Sequence, residues 1–282
     1  MLRKGFILAA LGLAIFAGPV LAVTTEEEPK AVHWTFQGPL GKFDQGQLQR
    51  GYKVYREVCS SCHSMNLMSF RNLGQKGGPF FLEEFKKNAN DNPVVKAIAK
   101  DYQFDDIDTE TGDIVKRAGT SADRFPNPWA NESAARASNG GALPPDLSTM
   151  AKAREGGPAY IYSLLTGYQT PPKGMTVPAG KYYNPYMPGD MSGFWAGDPA
   201  DVPEGGFIAM PPPLVAGKVT FDDGTNSTLD QQAKDVAAFL AWASEPKMEE
   251  RKSFGLAAMI YLVIFSTLLW FSYKRIWRNV SH

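Results

Sequence analysis

The chain has 282 residues, 44% of them hydrophobic and 21% charged, with 29 basic and 29 acidic side chains and two cysteines. Five of the basic residues and none of the acidic ones lie outside 23–253, so that part carries 24 bases against 29 acids, a net charge of −5. This acidity argues against a nucleic-acid partner and suits a basic protein partner drawn in by electrostatic steering.

The opening MLRKGFILAALGLAIFAGPVLA places Arg3 and Lys4 before an uncharged run ending in Val20-Leu21-Ala22. That is the layout of an export leader with a cleavage site after Ala22, so residues 1–22 are expected to be a signal peptide and 23–253 an exported domain. The apolar run is short for an uncleaved membrane anchor.

Leu48, Tyr52, Tyr55 and Val58 recur at helical spacing and predict a helix that closes at Cys59. CSSCHSM follows, residues 59–65, with both cysteines and one of the three histidines. Three chemistries compete for it. Zinc would take two thiolates and the imidazole, but its fourth ligand is missing: His33 lies far upstream, and His282 ends the chain beyond a membrane segment. A redox Cys-x-x-Cys pair belongs at a helix start, where one thiol is acidified, whereas this pair closes a helix. Covalent haem attachment joins Cys59 and Cys62 to the two vinyl groups and lets His63 reach the iron from the same turn.

Asp101 to Asp113 holds six acids without the regular spacing or closing Glu of a calcium loop, and reads as a solvated surface segment. PAYIYSLLTGY from Pro158 predicts a helix ended by Gly167. Thr228 and Gln231 can form a capping box for a helix whose face is Val236, Phe239, Leu240 and Ala243, stopped at Glu245-Pro246. No alternating strand series, repeat or low-complexity tract stands out, so the domain is expected to be mostly α with long irregular loops.

Phe254 to Tyr273 is uncharged throughout and, as a helix, about 30 Å long, enough to cross a bilayer. Trp270, Tyr273 and Trp277 form an interfacial belt at its far end. Lys247, Arg251 and Lys252 before the span balance Lys274, Arg275 and Arg278 after it, so orientation rests on the leader. It leaves 274–282 as a brief cytoplasmic tail.

A second iron ligand must come from far along the chain. Met65 and Met68 are too close to His63; Met150, Met175, Met187, Met191 and Met210 have enough chain. Met210 in FIAMPPPL has the most suitable context, with an apolar approach and three prolines that fix the backbone after it, but spacing leaves the other four open.

The chain resembles the cytochrome c1 family through RGYKVYREVCSSCHSM (50–65), ARASNGGALPPDLS (135–148), AREGGPAYIYSLLTGY (153–168), YYNPYMPG (182–189), IAMPPP (208–213) and the FDDGT and AKDVAAFLAWASEP stretches before the span. The resemblance implies a class I cytochrome c core with one C-terminal transmembrane helix, in which helices at 47–58 and 228–243 cross at Gly51. It implies one covalently bound haem c, His63 and Met210 as axial ligands, Arg154 on a propionate, and Asn139, Ala142, Pro144, Pro145 and Tyr160 lining the pocket. It further implies a dimeric quinol–cytochrome c reductase in a bacterial inner membrane, the haem domain on the periplasmic side. There the chain would pass one electron from the Rieske iron–sulfur protein to a soluble c-type cytochrome, while cytochrome b holds the quinol site. An anchored carrier feeding an oxidase or photosynthetic reaction centre shares the leader, haem motif and span. A haem enzyme or sensor would instead leave the sixth position open. Residues 190–207, DMSGFWAGDPADVPEGGF, are an insertion relative to mitochondrial members; the resemblance implies that some bacterial relatives brace this region with a disulfide, whereas any brace here would be noncovalent because both thiols are expected to be committed to haem.

Overall fold

The computed structural model describes residues 26–279; the leader assigned to 1–22 and the last three residues of the tail lie outside them. The described chain is mainly helical. Helix α1 (Gln45–Glu57) starts where the Asp44 carboxylate accepts the Gln47 N–H at 2.6 Å, and its buried face is Leu48, Gly51, Tyr52, Val54 and Tyr55. Short α2 (Phe70–Leu73) and α3 (Pro93–Lys100) pack against each other.

Two antiparallel ribbons depart from the expected absence of strands. β1 (Gln103–Ile107) and β2 (Ile114–Ala118) form an exposed hairpin across the acidic segment. Asp108 ties its turn by accepting the N–H groups of Glu110 and Thr111, and Gly112 takes the left-handed conformation at φ 77°. Acids point from both faces, which hides the strand's period from the sequence.

Helices α4 (Glu132–Ser138), α5 (Met150–Ala153) and α6 (Pro158–Thr166) come next. The second ribbon follows, β3 (Tyr182–Asn184) with β4 (Gly206–Ile208). Gly167 ends α6 with φ −99°, outside the left-handed region. Glycine is needed there for space, since a Cβ would stand 2.4 Å from the Tyr186 ring.

The core forms where α1 crosses α7 (Leu229–Ser244), with α5 and α6 also on α7. A Cβ at Gly51 would lie 2.1 Å from the Asp235 carbonyl oxygen and 2.7 Å from Phe239 Cβ, so only glycine permits this approach. Tyr52 and Tyr55 pack on Phe239, and Phe239 on Trp242. Asp235, fully buried at the crossing, is matched by Arg50 at 2.7 Å and by the amides of Gln47 and Gln231. The α7 capping box is half formed. Thr228 accepts the Gln231 N–H at 3.0 Å, but the Gln231 side chain turns forward to Asp235 instead of back to the cap.

Helix α8 (Met248–Ile276) is one continuous rod whose apolar side chains from Phe254 onward are exposed, with mean hydropathy 2.1 over its most apolar window. It overruns the expected 254–273 span at both ends and is long and apolar enough to cross a membrane.

Candidate functional site

The end of α1 builds the site. After Val58 the chain tightens into a 3-10 turn at Cys59–Ser61, and the N–H groups of Cys62 and His63 both reach the Cys59 carbonyl, at 3.1 and 2.8 Å. Two thiols and an imidazole therefore leave one turn. Ser60 and Ser61 cap the last helical carbonyls, donating to Arg56 and Val58, and Trp129 donates its indole N–H to the Cys62 carbonyl at 3.1 Å. The thiols are free and half-buried. Burial pushes the Cys59 thiol up to about 12, the reverse of what a redox pair needs. Among the described residues no three His, Cys, Asp or Glu side chains converge on one ion.

His63 is oriented by a backbone carbonyl. Its Nδ1 stands 2.8 Å from the Pro145 oxygen. A carbonyl can only accept, so Nδ1 carries the proton and Nε2 keeps its lone pair, the tautomer of a ligating imidazole. Burial holds the ring's pKa below its ordinary value, outweighing the Pro145 bond and the Asp146 charge, and so favours the neutral imidazole. The segment after His63 is stitched to the one after Pro145. Asp146 accepts from Ser64 at 2.8 Å, the Asn66 N–H at 2.7 Å and the Ser148 N–H at 2.8 Å, while Leu147 donates to the Ser64 carbonyl at 2.9 Å. Burial opposes ionisation of Asp146, but these bonds prevail and hold its pKa below the usual carboxylate range.

The other residues singled out in the sequence fall into three groups. Pro144 and Ala142 are half-buried on the loop that delivers Pro145, and Asn139, at the end of α4, gives its amide to the Ala135 carbonyl. Arg154 is exposed at the end of α5, beside the buried Tyr160 ring of α6. Of the methionines, Met191 is buried, and Met187 accepts the Tyr160 hydroxyl at 4.0 Å. Met150 and Met175 are half-buried, the latter bridging to Trp195 of the insertion. Met210, also half-buried, follows β4, and its carbonyl accepts the Tyr168 hydroxyl at 3.0 Å. Sequence reasoning missed Trp129 and Tyr168. Tyr168 had a usable signal as the aromatic directly after a helix-ending glycine; Trp129 had none.

These residues fit a covalently held tetrapyrrole. The thiols and a metal-ready imidazole share one turn, and Val58, Cys59, Met150, Leu164 and Leu165 are only partly covered at the edge of the core. Such half-covered apolar surface can be buried by a flat apolar ring.

Comparison with known proteins agrees. The sequence pattern of the Cytochrome C1 family matches residues 34–280. The chain is 41% identical over 291 residues to "Cytochrome b/c1" of Bradyrhizobium diazoefficiens, which covers 95% of this chain and 39% of that protein. It thus spans about two fifths of that relative's length. It is 40% identical to "Cytochrome c1" of Rhodospirillum rubrum, covering 95% of this chain and 97% of that protein. It is also 44% identical over 230 residues to "Cytochrome c1, heme protein, mitochondrial" of Kluyveromyces lactis, covering 81% of this chain and 69% of that protein.

Proposed function

The chain belongs to the cytochrome c1 family, and from that premise we propose how its residues serve as the haem subunit of a quinol–cytochrome c reductase. Its role is electron transfer, with one covalently bound haem c. When bound, the haem supplies a reversible one-electron couple. Cys59 and Cys62 hold it through thioethers, and His63 ligates through Nε2. The observation that carries this reading is the Nδ1 bond to Pro145, which reserves Nε2 for a metal.

Met210 would supply the second protein ligand to the iron. The Tyr160 bond to Met187 and the burial of Met191 favour it over those two sulfurs. A thioether paired with one imidazole would raise the potential above that of a bis-histidine site, and two protein ligands would compete with dioxygen and carbon monoxide for the iron. Arg154, exposed at the rim, suits a propionate, and Asn139, Ala142, Pro144, Pro145 and Tyr160 form the surround.

The chain receives its electron from the Rieske iron–sulfur protein and passes it to a soluble c-type cytochrome, within a dimeric complex whose cytochrome b oxidises quinol. The protein is membrane-anchored. Residues 1–22 serve as leader, 23–253 as a periplasmic domain and 254–273 as the span of a bacterial inner membrane, with 274–282 in the cytoplasm. Purification of the native complex tests the assembly: cytochrome b and the Rieske protein should co-purify, whereas a carrier serving an oxidase or reaction centre would come without them. Met210→Leu tests the ligand. It should abolish the sulfur-to-iron charge-transfer band, lower the potential and open the reduced iron to carbon monoxide; a retained band moves the ligand to another methionine.

A further inference from the structure

Met210 sits in a stretch with little hydrogen-bonding capacity of its own. The peptide groups joining Met210 to Pro211, Pro211 to Pro212 and Pro212 to Pro213 have no N–H, so the only polar handle on the peptide after Met210 is its own carbonyl. That carbonyl accepts the Tyr168 hydroxyl at 3.0 Å. Tyr168 follows Gly167 at the end of α6, and Gly167 is pressed against the Tyr186 ring so closely that a Cβ would meet it at 2.4 Å. The phenol is therefore aimed by the end of a helix that packs on α7.

Clamps flank this bond on both sides. Upstream, β4 is paired to β3, the Tyr183 hydroxyl donates to the Glu204 carbonyl at 2.6 Å, and the Phe194 ring meets Phe207 edge-on at 5.2 Å. These contacts give the 190–207 insertion a noncovalent brace. Downstream, Lys218 donates to the Pro213 carbonyl at 2.7 Å and Leu214 is buried.

We propose that Tyr168 is a positioning residue for Met210: its phenol fixes the Met210–Pro211 peptide and so keeps the thioether on the iron. The inference rests on Met210 being the axial ligand. A neutral thioether binds iron weakly, and its hold depends on a backbone that does not let it drift. The clamps set where the segment runs, and the phenol sets the rotation of the peptide next to the ligand.

The test compares Tyr168→Phe with Met210→Leu in the membrane-bound holoprotein. In Tyr168→Phe the haem should stay covalently attached, while the charge-transfer band weakens, the alkaline pH at which it disappears falls, and the potential drops. Carbon monoxide should bind the reduced form about fivefold faster, the scale of one net hydrogen bond. Should Met210→Leu lose the band while Tyr168→Phe matches the unmutated protein in band, alkaline transition and carbon monoxide rate, the positioning role is overturned. A band that survives Met210→Leu removes the ligand assignment instead. If Tyr168→Phe does not assemble, a ring-fluorinated tyrosine at 168 keeps the shape and strengthens the donor. Near neutral pH it should strengthen the charge-transfer band and slow carbon monoxide binding, and an unmoved band and rate again overturn the role.

Discussion

Asp123 shows how one carboxylate can secure the packing at the end of α1, next to the Cys59–His63 turn. Arg117 grips both its oxygens at 2.7 Å, Thr120 donates to it through N–H and hydroxyl, and its own carbonyl accepts the Phe70 N–H. Two residues on, Phe125 packs against Tyr55 and Phe70 at the end of α1. The Arg117 guanidinium, first among these partners, holds the Asp123 pKa well below the usual carboxylate range. The unfolded chain therefore takes up this proton at a higher pH than the folded one. The stabilisation is full above the ordinary carboxylate pKa and is lost as pH falls through the depressed value. Asp123→Asn is expected to cost about 1–3 kcal/mol near neutrality. It should also flatten the acid limb of stability between about pH 5 and pH 2, read by urea unfolding of the detergent-solubilised holoprotein. Legibility at this scale depends on whether a residue acts through its side chain. Cys59, Cys62 and His63 stood out because thiols and imidazole announce their chemistry, and the structure brings them onto one turn. Pro145 could be named only by resemblance, because it reaches His63 through a carbonyl that every residue carries.

Among the elements, α1 and α7 were readable because their apolar positions repeat at helical spacing, and α7 also starts at the capping Thr228. The ribbons were not. The β1–β2 hairpin is solvated on both faces, and β3 meets β4 across a long loop, so no local alternation records either pairing. Gly51 was named at the crossing only by resemblance, since helical spacing does not record a neighbour; an added Cβ there would stand 2.1 Å from the Asp235 carbonyl oxygen. Gly51→Ala is expected to force α1 and α7 apart at the cost of about 1–3 kcal/mol, despite alanine's better helix propensity. Separation would also strain the Arg50–Asp235 pair and leave a buried carboxylate poorly matched. Denaturant unfolding should show a lower midpoint than in Gly46→Ala on the same helix, where an added Cβ meets nothing nearer than 3.4 Å. Equal midpoints would show that the crossing adjusts freely.

For the whole molecule, the question is how the haem-bearing domain stands on its membrane helix. A flexible linker would let the domain wander, but α8 begins inside the domain. Met248 is buried, the Glu249 carboxylate accepts the Phe43 N–H at 2.9 Å, and Lys252 donates to the carbonyls of Phe36 and Gly41 at 2.7 and 3.3 Å. Glu245 is held by Arg251 at 2.5 Å and by Lys152 of α5 at 3.2 Å, tying the first turns of α8 to the core. The first exposed apolar residue, Phe254, comes two positions after Lys252, so the grip lies where the bilayer surface would begin. Such a base would fix the height and tilt of the domain on its membrane helix. Lys252→Met keeps the length of the side chain and removes its charge and donors, while Glu249→Gln keeps an acceptor for Phe43. Hydrogen exchange of the 36–43 segment in detergent-solubilised holoprotein is expected to accelerate about tenfold in Lys252→Met and far less in Glu249→Gln, the scale of roughly 1.4 kcal/mol for charge-assisted bonds lost. Unchanged exchange in Lys252→Met would show that the loop is held by its aromatic packing of Trp34, Phe36 and Phe43, and the rigid base would then have to be sought in Glu245 and α5.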